Sequence, residues 1–156
     1  MVDRRLPDEL KLILARNVSR ELKAALIVEA IRVAGPYRWV GIYDVDVSPG
    51  LVSNIAWSGP DAPAYPTFPT TKGLTSRAIA GKTTINVGDV AADSDYLTAL
   101  GNTRAEIIVP VLGHLGDRVI GTIDVESEHL NAFDSAAQIL LEECVRELRS
   151  FWTDRK

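Results

Sequence analysis

Alternating hydrophobic and polar positions predict a β-hairpin from Ala105 to Ser127. Its arms, 106–112 and 118–126, are rich in β-branched residues, and the Gly-His-Leu-Gly-Asp run between them supplies turn formers. Because alternate side chains of a strand point to opposite faces, the hairpin has an apolar face and a face that is polar at one end. The polar end collects Glu106, Asp124 and Glu126. Three neighbouring carboxylates are costly unless they face water, a cation or a positively charged ligand.

The alternation also predicts which hairpin residues pack under helices. On the second arm these are Val119, Gly121, Ile123 and Val125, whereas Ile120, Thr122, Asp124 and Glu126 take the other face.

Apolar residues at three- and four-residue spacing predict a long helix at each end of the chain. The first runs from Leu6 to Ala34 and stops at Gly35-Pro36. Its predicted stripe is Leu10, Ile13, Leu14, Val18, Leu22, Ala25 and Leu26. The last helix is capped by Asp134 or Ser135, with Ser135-x-x-Gln138 matching a capping box. Its stripe is Phe133, Ala137, Leu140, Leu141, Cys144, Leu148 and Trp152.

Between these regions the pattern predicts two further strands, a loop and short elements. The strand from Tyr37 to Val47 has Trp39, Gly41 and Tyr43 on one face, and the strand from Leu51 to Ser58 carries Trp57 near its end. Four prolines within 59–69 indicate an irregular loop. A short helix then ends at Gly81, and a short strand spans Thr84 to Val87.

This order of elements predicts an α+β fold in a single domain, residues 1–156. An antiparallel sheet of five to six strands would carry the two long terminal helices on one face. Loops and the short helix would cover the other face and leave a pocket there.

Composition excludes several function classes. The 156 residues have a formal net charge of −4 without a basic stripe, which argues against nucleic acid as a partner. No apolar run approaches the roughly 20 residues that span a bilayer, so no membrane association is expected. The single cysteine, Cys144, rules out an internal disulfide and predicts a cytoplasmic protein. Its place in an apolar stripe favours a structural role.

Common catalytic and metal motifs are missing from the sequence. Gly81-Lys82-Thr83 looks like the end of a phosphate-binding loop, but Ser76 stands where that loop requires glycine. His114, His129 and Cys144 lack zinc-ligand spacing, and no nucleophile elbow is present. We therefore expect no metal and no cofactor, although the hairpin acids are also a set that a hard cation accepts.

The strongest constellation combines aromatic and acidic side chains. Its members are Trp39, Tyr43, Trp57, Glu106, Asp124 and Glu126. Aromatic walls and carboxylates suit a ligand ammonium through ion pairing and cation–π attraction. The alternative is that the aromatic residues are core and the acids are solvated at a strand end, and the pattern alone leaves both open.

Five motifs in order resemble a GAF domain over roughly Leu6 to Phe151. They are R-W-V-G-I-Y at 38–43, K-G-L-T at 72–75, D-V-A-A-D at 89–93, R-A-E-I-I-V-P at 104–110 and I-G-T-I-D-V-E-S at 120–127. Within that superfamily the chain is most similar to the free methionine-(R)-sulfoxide reductase branch. The resemblance implies a GAF-like, profilin-like sheet and a pocket lined by Trp39 and Tyr43. It also places the substrate-holding acids at Glu106, Asp124 and Glu126, the last being Asp in the family.

The reductase cysteines have no counterpart in the aligned motifs. Thr75 occupies the cysteine position of the K-G-[VL]-C motif, and about Ala99 occupies the other. Sulfoxide reduction of this type needs an attacking and a resolving thiol. The resemblance therefore implies a pocket that includes Thr75 and has no catalytic residue.

The resulting expectation is a sensory GAF domain that binds a small polar, amino-acid-like molecule and forms a homodimer through its terminal helices. Phe151 and Trp152 are expected at that dimer interface. The alternatives are a diverged reductase-like enzyme and a dimerisation module without a ligand.

Overall fold

The structure is a computed structural model that describes residues 5–97 and 101–154. Its helices are α1 (Arg5–Leu14), α2 (Arg20–Val33), α3 (Gly73–Gly81) and α4 (Ser135–Thr153). Its strands are β1 (Trp39–Asp46), β2 (Leu51–Ser58), β3 (Thr67–Pro69), β4 (Ile85–Val87), β5 (Ala105–Leu112) and β6 (Val119–Ser127). A single 3₁₀ turn spans Val90–Ala92. None of the described helices is long and apolar enough to cross a bilayer.

The strands form one antiparallel sheet in the order β3-β2-β1-β6-β5-β4. The long strands β1, β6 and β5 lie at its centre, and the short β3 and β4 form its edges. The predicted α+β class and the six-stranded sheet are confirmed. The edge strand β3, however, lies inside the segment predicted to be an irregular loop.

Helices α1, α2 and α4 cover one face of the sheet and bury the larger hydrophobic core against it. From the sheet this core takes Ile123 and Val125, which the alternation assigned to the helix side. It also takes Val40, Ile42, Ile107 and Val109. The opposite face carries a separate cluster around Trp39 and Tyr43. Period-two alternation therefore separates the two layers correctly along most of β1, β5 and β6.

The predicted single N-terminal helix is wrong, because the chain breaks it between α1 and α2. Ser19 caps α2, its side-chain oxygen accepting a hydrogen bond from the Leu22 amide at 3.2 Å. The break rotates the buried stripe, so that Leu22 is 47% exposed. In its place α2 buries Ala24, Ile27, Val28, Ala30 and Ile31.

A bulge near the tip of the β5–β6 hairpin reverses two predicted orientations. Val111 lies opposite Gly121, but Leu112 lies opposite Val119, which leaves Ile120 as an extra residue. Val119 consequently joins the Tyr43 cluster, and Ile120 packs against the helix-side core.

The C-terminal helix begins one residue earlier than a capping box at Ser135 would require. Asp134 is the cap, and its carboxylate accepts a hydrogen bond from the Ala137 amide at 2.9 Å. Ser135 is the first helical residue, so the predicted Ser135–Gln138 box is wrong. The Gln138 side-chain oxygen instead accepts a hydrogen bond from Asn86.

The last turns of α4 pack against the centre of the sheet. The Trp152 ring lies over Gly121, where an added Cβ would be 2.1 Å from its Nε1, and that nitrogen donates to the Tyr43 carbonyl at 3.0 Å. Phe151 is 6% and Trp152 2% exposed. Because both rings are buried within the chain, the expectation that they lie at a dimer interface is wrong.

The short helix α3 extends slightly beyond its predicted stop. Gly81 is still helical, and Lys82 takes the left-handed conformation that terminates it, with φ 50°. No phosphate-binding loop forms at this triplet, because Gly81 closes the helix where such a loop would open one.

Candidate ligand-binding site

Strand register brings the three hairpin acids together on the face opposite the helices. Glu106 lies directly across β5–β6 from Glu126, and Asp124 lies across from Ile108. On the other side of β6, Trp39 is the partner of Glu126 and Gly41 is the partner of Asp124. The acids are thus fixed by central strands, which hold side chains more precisely than loops do.

The acid cluster, defined as Glu106, Asp124 and Glu126, is tight and nearly dry. Carboxylate oxygens from all three residues lie within 4.8 Å of one another. Their side chains are 3%, 7% and 0% exposed, respectively. Among the described residues, no lysine or arginine forms an ion pair with any of them. The expectation of solvated acids at a strand end therefore does not apply.

Burial shifts the pKa of every member of the acid cluster upward. Desolvation raises the pKa of Asp124 to about 6. Desolvation and the charge of Asp124 raise the pKa of Glu126 to about 8. The pKa of Glu106 lies well above its usual range because of desolvation, the Asp124 charge and a hydrogen bond to Asp124. For Asp124, the interaction with Glu106 opposes desolvation and lowers the pKa.

Two buried carboxylate oxygens in the acid cluster have no hydrogen-bond partner. They are Oδ1 of Asp124 and Oε2 of Glu126. Buried polar atoms are satisfied in most native structures, and leaving one unsatisfied costs about 1–3 kcal/mol. Unsatisfied acceptors in a cluster of acids indicate a place where a donor, and preferably a cation, binds.

A cavity lies against two of the acids. Glu106 and Asp124 form its polar floor together with Thr75. Its remaining walls are Tyr43, Pro63, Tyr65, Phe68, Gly73, Leu74, Leu97 and Ile108. Its free volume, about 20 Å³, is room for about one water molecule. A larger ligand therefore requires the loops over the sheet to move.

The N-terminus of α3 forms one side of this cavity. Gly73, Leu74 and Thr75 belong to its first turn, and no side chain caps that turn. Amide groups of an uncapped first turn are donors suited to an anionic group. The cavity therefore has an acidic floor facing a rim of amide donors.

The structure places the predicted site residues differently with respect to the cavity. Tyr43, Thr75, Glu106 and Asp124 line the cavity. Trp39 and Glu126 are cross-strand partners and do not line it. Trp39 is fully buried, and its Nε1 donates to the Asp61 carbonyl at 3.0 Å. The position near Ala99 lies outside the described residues.

Trp57 does not line the cavity, contrary to the prediction. It lies opposite Gly41 and shares its face of the sheet, but its side chain is 39% exposed. The Trp39 ring occupies the space above Gly41, where an added Cβ would be 2.3 Å away from it. Trp39 therefore separates Trp57 from the acids.

The residues that close the site from the loops were not predicted from the sequence. Thr103 and Tyr96 both donate hydrogen bonds to Oε1 of Glu126, the latter at 3.4 Å. Tyr65 and Phe68 come from the proline-rich segment, and the Phe68 ring meets Tyr43 edge-on at 5.9 Å. Two aromatic residues in a proline-rich segment were the available signal, because aromatic side chains bury large apolar areas when they pack.

Without a ligand, the free energy of unfolding is expected to fall as pH rises from about 4 to about 8. Asp124 and Glu126 bind protons more tightly in the folded than in the unfolded chain, so the folded state holds more protons in this range. Each such proton contributes a slope of at most about 1.4 kcal/mol per pH unit.

Urea unfolding at pH 5, 6, 7 and 8 measures this slope. Glu126→Gln should flatten it, whereas Asp46→Asn, at an exposed strand end, should leave it as in the wild type. Stability that rises steadily over this range would contradict a protonated cluster.

The comparisons with known proteins agree with this architecture. A family model described as the GAF domain matches residues 16–149. No curated protein matches the sequence.

Several solved structures have the same fold. Free methionine-R-sulfoxide reductase from Neisseria meningitidis, solved in complex with its substrate, is 29% identical over 96% of this chain and 87% of that chain, with a TM-score of 0.86. The type II free methionine-R-sulfoxide reductase from Thermoplasma acidophilum is 21% identical, with 96% of both chains covered and a TM-score of 0.77. The GAF domain of an Acinetobacter phosphoenolpyruvate-protein phosphotransferase is 16% identical over 96% and 91% of the chains, with a TM-score of 0.82.

Proposed function

Because the chain belongs to the GAF domain family, we propose that it is a sensory domain that binds a small, amino-acid-like molecule in the cavity above the acid cluster. The unpartnered oxygens of Asp124 and Glu126 are the observation that carries this proposal. A ligand ammonium supplies both the charge and the three N–H donors that such oxygens lack.

The remaining walls define the rest of the ligand. Amides of the first turn of α3 suit a carboxylate, and Tyr65, Phe68 and Ile108 suit an apolar side chain. An ammonium, a carboxylate and an apolar chain on one small molecule describe an apolar amino acid. The Neisseria meningitidis relative, solved with its substrate, supports a ligand of this kind in the same fold.

We further propose that the domain binds this ligand without transforming it. Thr75, which lines the cavity, has a hydroxyl group where the resemblance to the reductases places a cysteine. The one cysteine, Cys144, is buried in the helix-side core. Burial raises the pKa of its thiol to about 12, so little thiolate is available for attack on sulfur.

Thermal unfolding at pH 8 with millimolar ligand tests binding. L-methionine and L-methionine sulfoxide should raise Tm, whereas N-acetyl-L-methionine, which lacks the ammonium, should not. Saturation at 100 times Kd stabilises the fold by about 2.7 kcal/mol. For a domain of this size, that corresponds to about 5–10 °C. No shift with either free amino acid, or equal shifts with the acetylated one, would contradict the proposal.

The reductase alternative is favoured by the substrate-bound Neisseria meningitidis relative. It is tested by incubating the protein with L-methionine-R-sulfoxide and a dithiol reductant. The proposal expects no methionine above the protein-free rate. Turnover that disappears in Cys144→Ser would establish the enzyme instead.

A further inference from the structure

We propose that ligand uptake at this site is an exchange, in which the entering ammonium displaces protons that the acid cluster holds when it is empty. This inference rests on the proposed function and adds its regulation. It makes the domain respond to ligand and pH together. The affinity for the ligand is low in acid and higher at mildly alkaline pH.

The geometry of the acid cluster requires protons in the empty state. Three carboxylates whose oxygens lie within 4.8 Å of one another repel strongly if all are ionised in a dry environment. Carboxyl groups this close together can hydrogen-bond to each other only if one of them carries a proton. A cavity with room for about one water molecule cannot supply the hydration that a triple negative charge needs.

Within residues 5–97 and 101–154, no group around the acid cluster forms an ion pair with it and so supplies a compensating charge. From β1 the cluster meets the Tyr43 phenol, and from the connection before β5 it meets the Tyr96 phenol and the Thr103 hydroxyl. From α3 the cavity receives the Thr75 hydroxyl, and from the loop after β2 it receives Tyr65. Desolvation and, after it, the charges of the acids raise the pKa values of Tyr43 and Tyr96, so both phenols stay neutral. Around this cavity the described charged groups are therefore the three acids themselves.

Glu126 is the member whose proton is most readily exchanged near neutral pH. One of its oxygens accepts the Thr103 and Tyr96 hydrogen bonds, and the other is unpartnered. Its pKa of about 8 means that the proton is present at pH 7 and is lost within one to two units above it. When an ammonium neutralises the cluster, the reason for holding this proton disappears. The proton leaves to solvent, and the ammonium keeps its own protons. The net charge of the site therefore changes by the charge of the ligand minus the number of protons released.

Isothermal titration calorimetry with L-methionine at pH 6, 7 and 8 measures the exchange. At each pH it is run in two buffers of different ionisation enthalpy, so that the protons released per ligand are obtained directly. With one proton released, affinity should rise about tenfold per pH unit from pH 6 to 8. Glu126→Gln should reduce both the proton release and the pH slope. Asp46→Asn, an exposed acid on the same sheet, should retain both.

The outcomes separate this inference from the function on which it rests. Binding that is independent of pH and releases no proton overturns the exchange but leaves the proposed function standing. Absence of binding at every pH overturns both. Titration of the ligand-free protein, followed by carboxyl ¹³C chemical shifts, tests whether the acid cluster holds protons. A midpoint above pH 6 for at least one cluster acid supports the exchange. Three midpoints near pH 4 refute it.

Discussion

Replacing Asp124 by asparagine is expected to weaken the binding of L-methionine at pH 8 by about 100-fold. Asp124 is the acid that both lines the cavity and carries an unpartnered buried oxygen. Removing one partner of a buried charge pair costs about 2–5 kcal/mol. Asparagine keeps the size of the side chain, so the fold should survive the change. Calorimetric titration measures the effect.

The matched control is Asp46→Asn, which removes an exposed carboxylate from the end of β1. Its affinity should match that of the wild type. The Asp124 variant should also be at least as stable as the wild type at pH 8 without ligand, because the substitution removes a buried charge. Unchanged ligand affinity in Asp124→Asn would show that the ammonium is not held by the acid cluster.

Replacing Trp152 by alanine is expected to destabilise the fold by about 4 kcal/mol. The ring fills the space over Gly121, and its Nε1 supplies the Tyr43 carbonyl with a hydrogen bond at 3.0 Å. Because Trp152 is 2% exposed, its removal leaves both a cavity and an unsatisfied carbonyl group. For a domain of this size Tm should fall by about 12 °C.

Trp57→Ala is the matched control for this prediction, since it removes the same side chain from a half-exposed position. Its cost should stay below about 1 kcal/mol. Thermal and urea unfolding of both variants give the comparison. Equal losses in the two variants would mean that the contact between α4 and the sheet does not anchor the helix layer.

The sheet and its two faces follow from the sequence because their signal is local. Period-two alternation put Tyr43 with Trp39 on one face of their strand, and Glu106 and Asp124 on the polar face of the hairpin. The pairing of β1 with β6 and of β6 with β5 brings these faces together. A β-strand offers only two directions for a side chain, so a correct strand prediction fixes the face. The convergence of the acids therefore needed only the pairing of β5 with β6.

The departures occur where one residue changes the register. The bulge at Ile120 and the break before Ser19 each rotate the neighbouring side chains, and neither leaves a strong mark on hydrophobic spacing. At the bulge, Val119 and Ile120 are both apolar, and only their direction changes. Periodicity in a single chain does not record such a change of direction.

The burial of the site by loop residues could also not be predicted from the sequence. The local pattern indicated acids at a strand end. It did not indicate that Tyr96 and Thr103 would donate hydrogen bonds to Glu126. The position of Trp57 depended on where the Trp39 ring settles over Gly41, which is a packing outcome. Burial turned a set of ordinary acids into a proton-binding cluster, and burial is a property of the whole fold.

A crystal structure of the protein grown with L-methionine at pH 8 tests the central claim most directly. The ligand ammonium should lie about 2.7–3.0 Å from carboxylate oxygens of Glu106 and Asp124, as charge-assisted hydrogen bonds require. Its carboxylate should face the first turn of α3, and its side chain should lie against Phe68 and Ile108. Density for water alone above the acids, or a ligand bound elsewhere on the domain, would contradict the account.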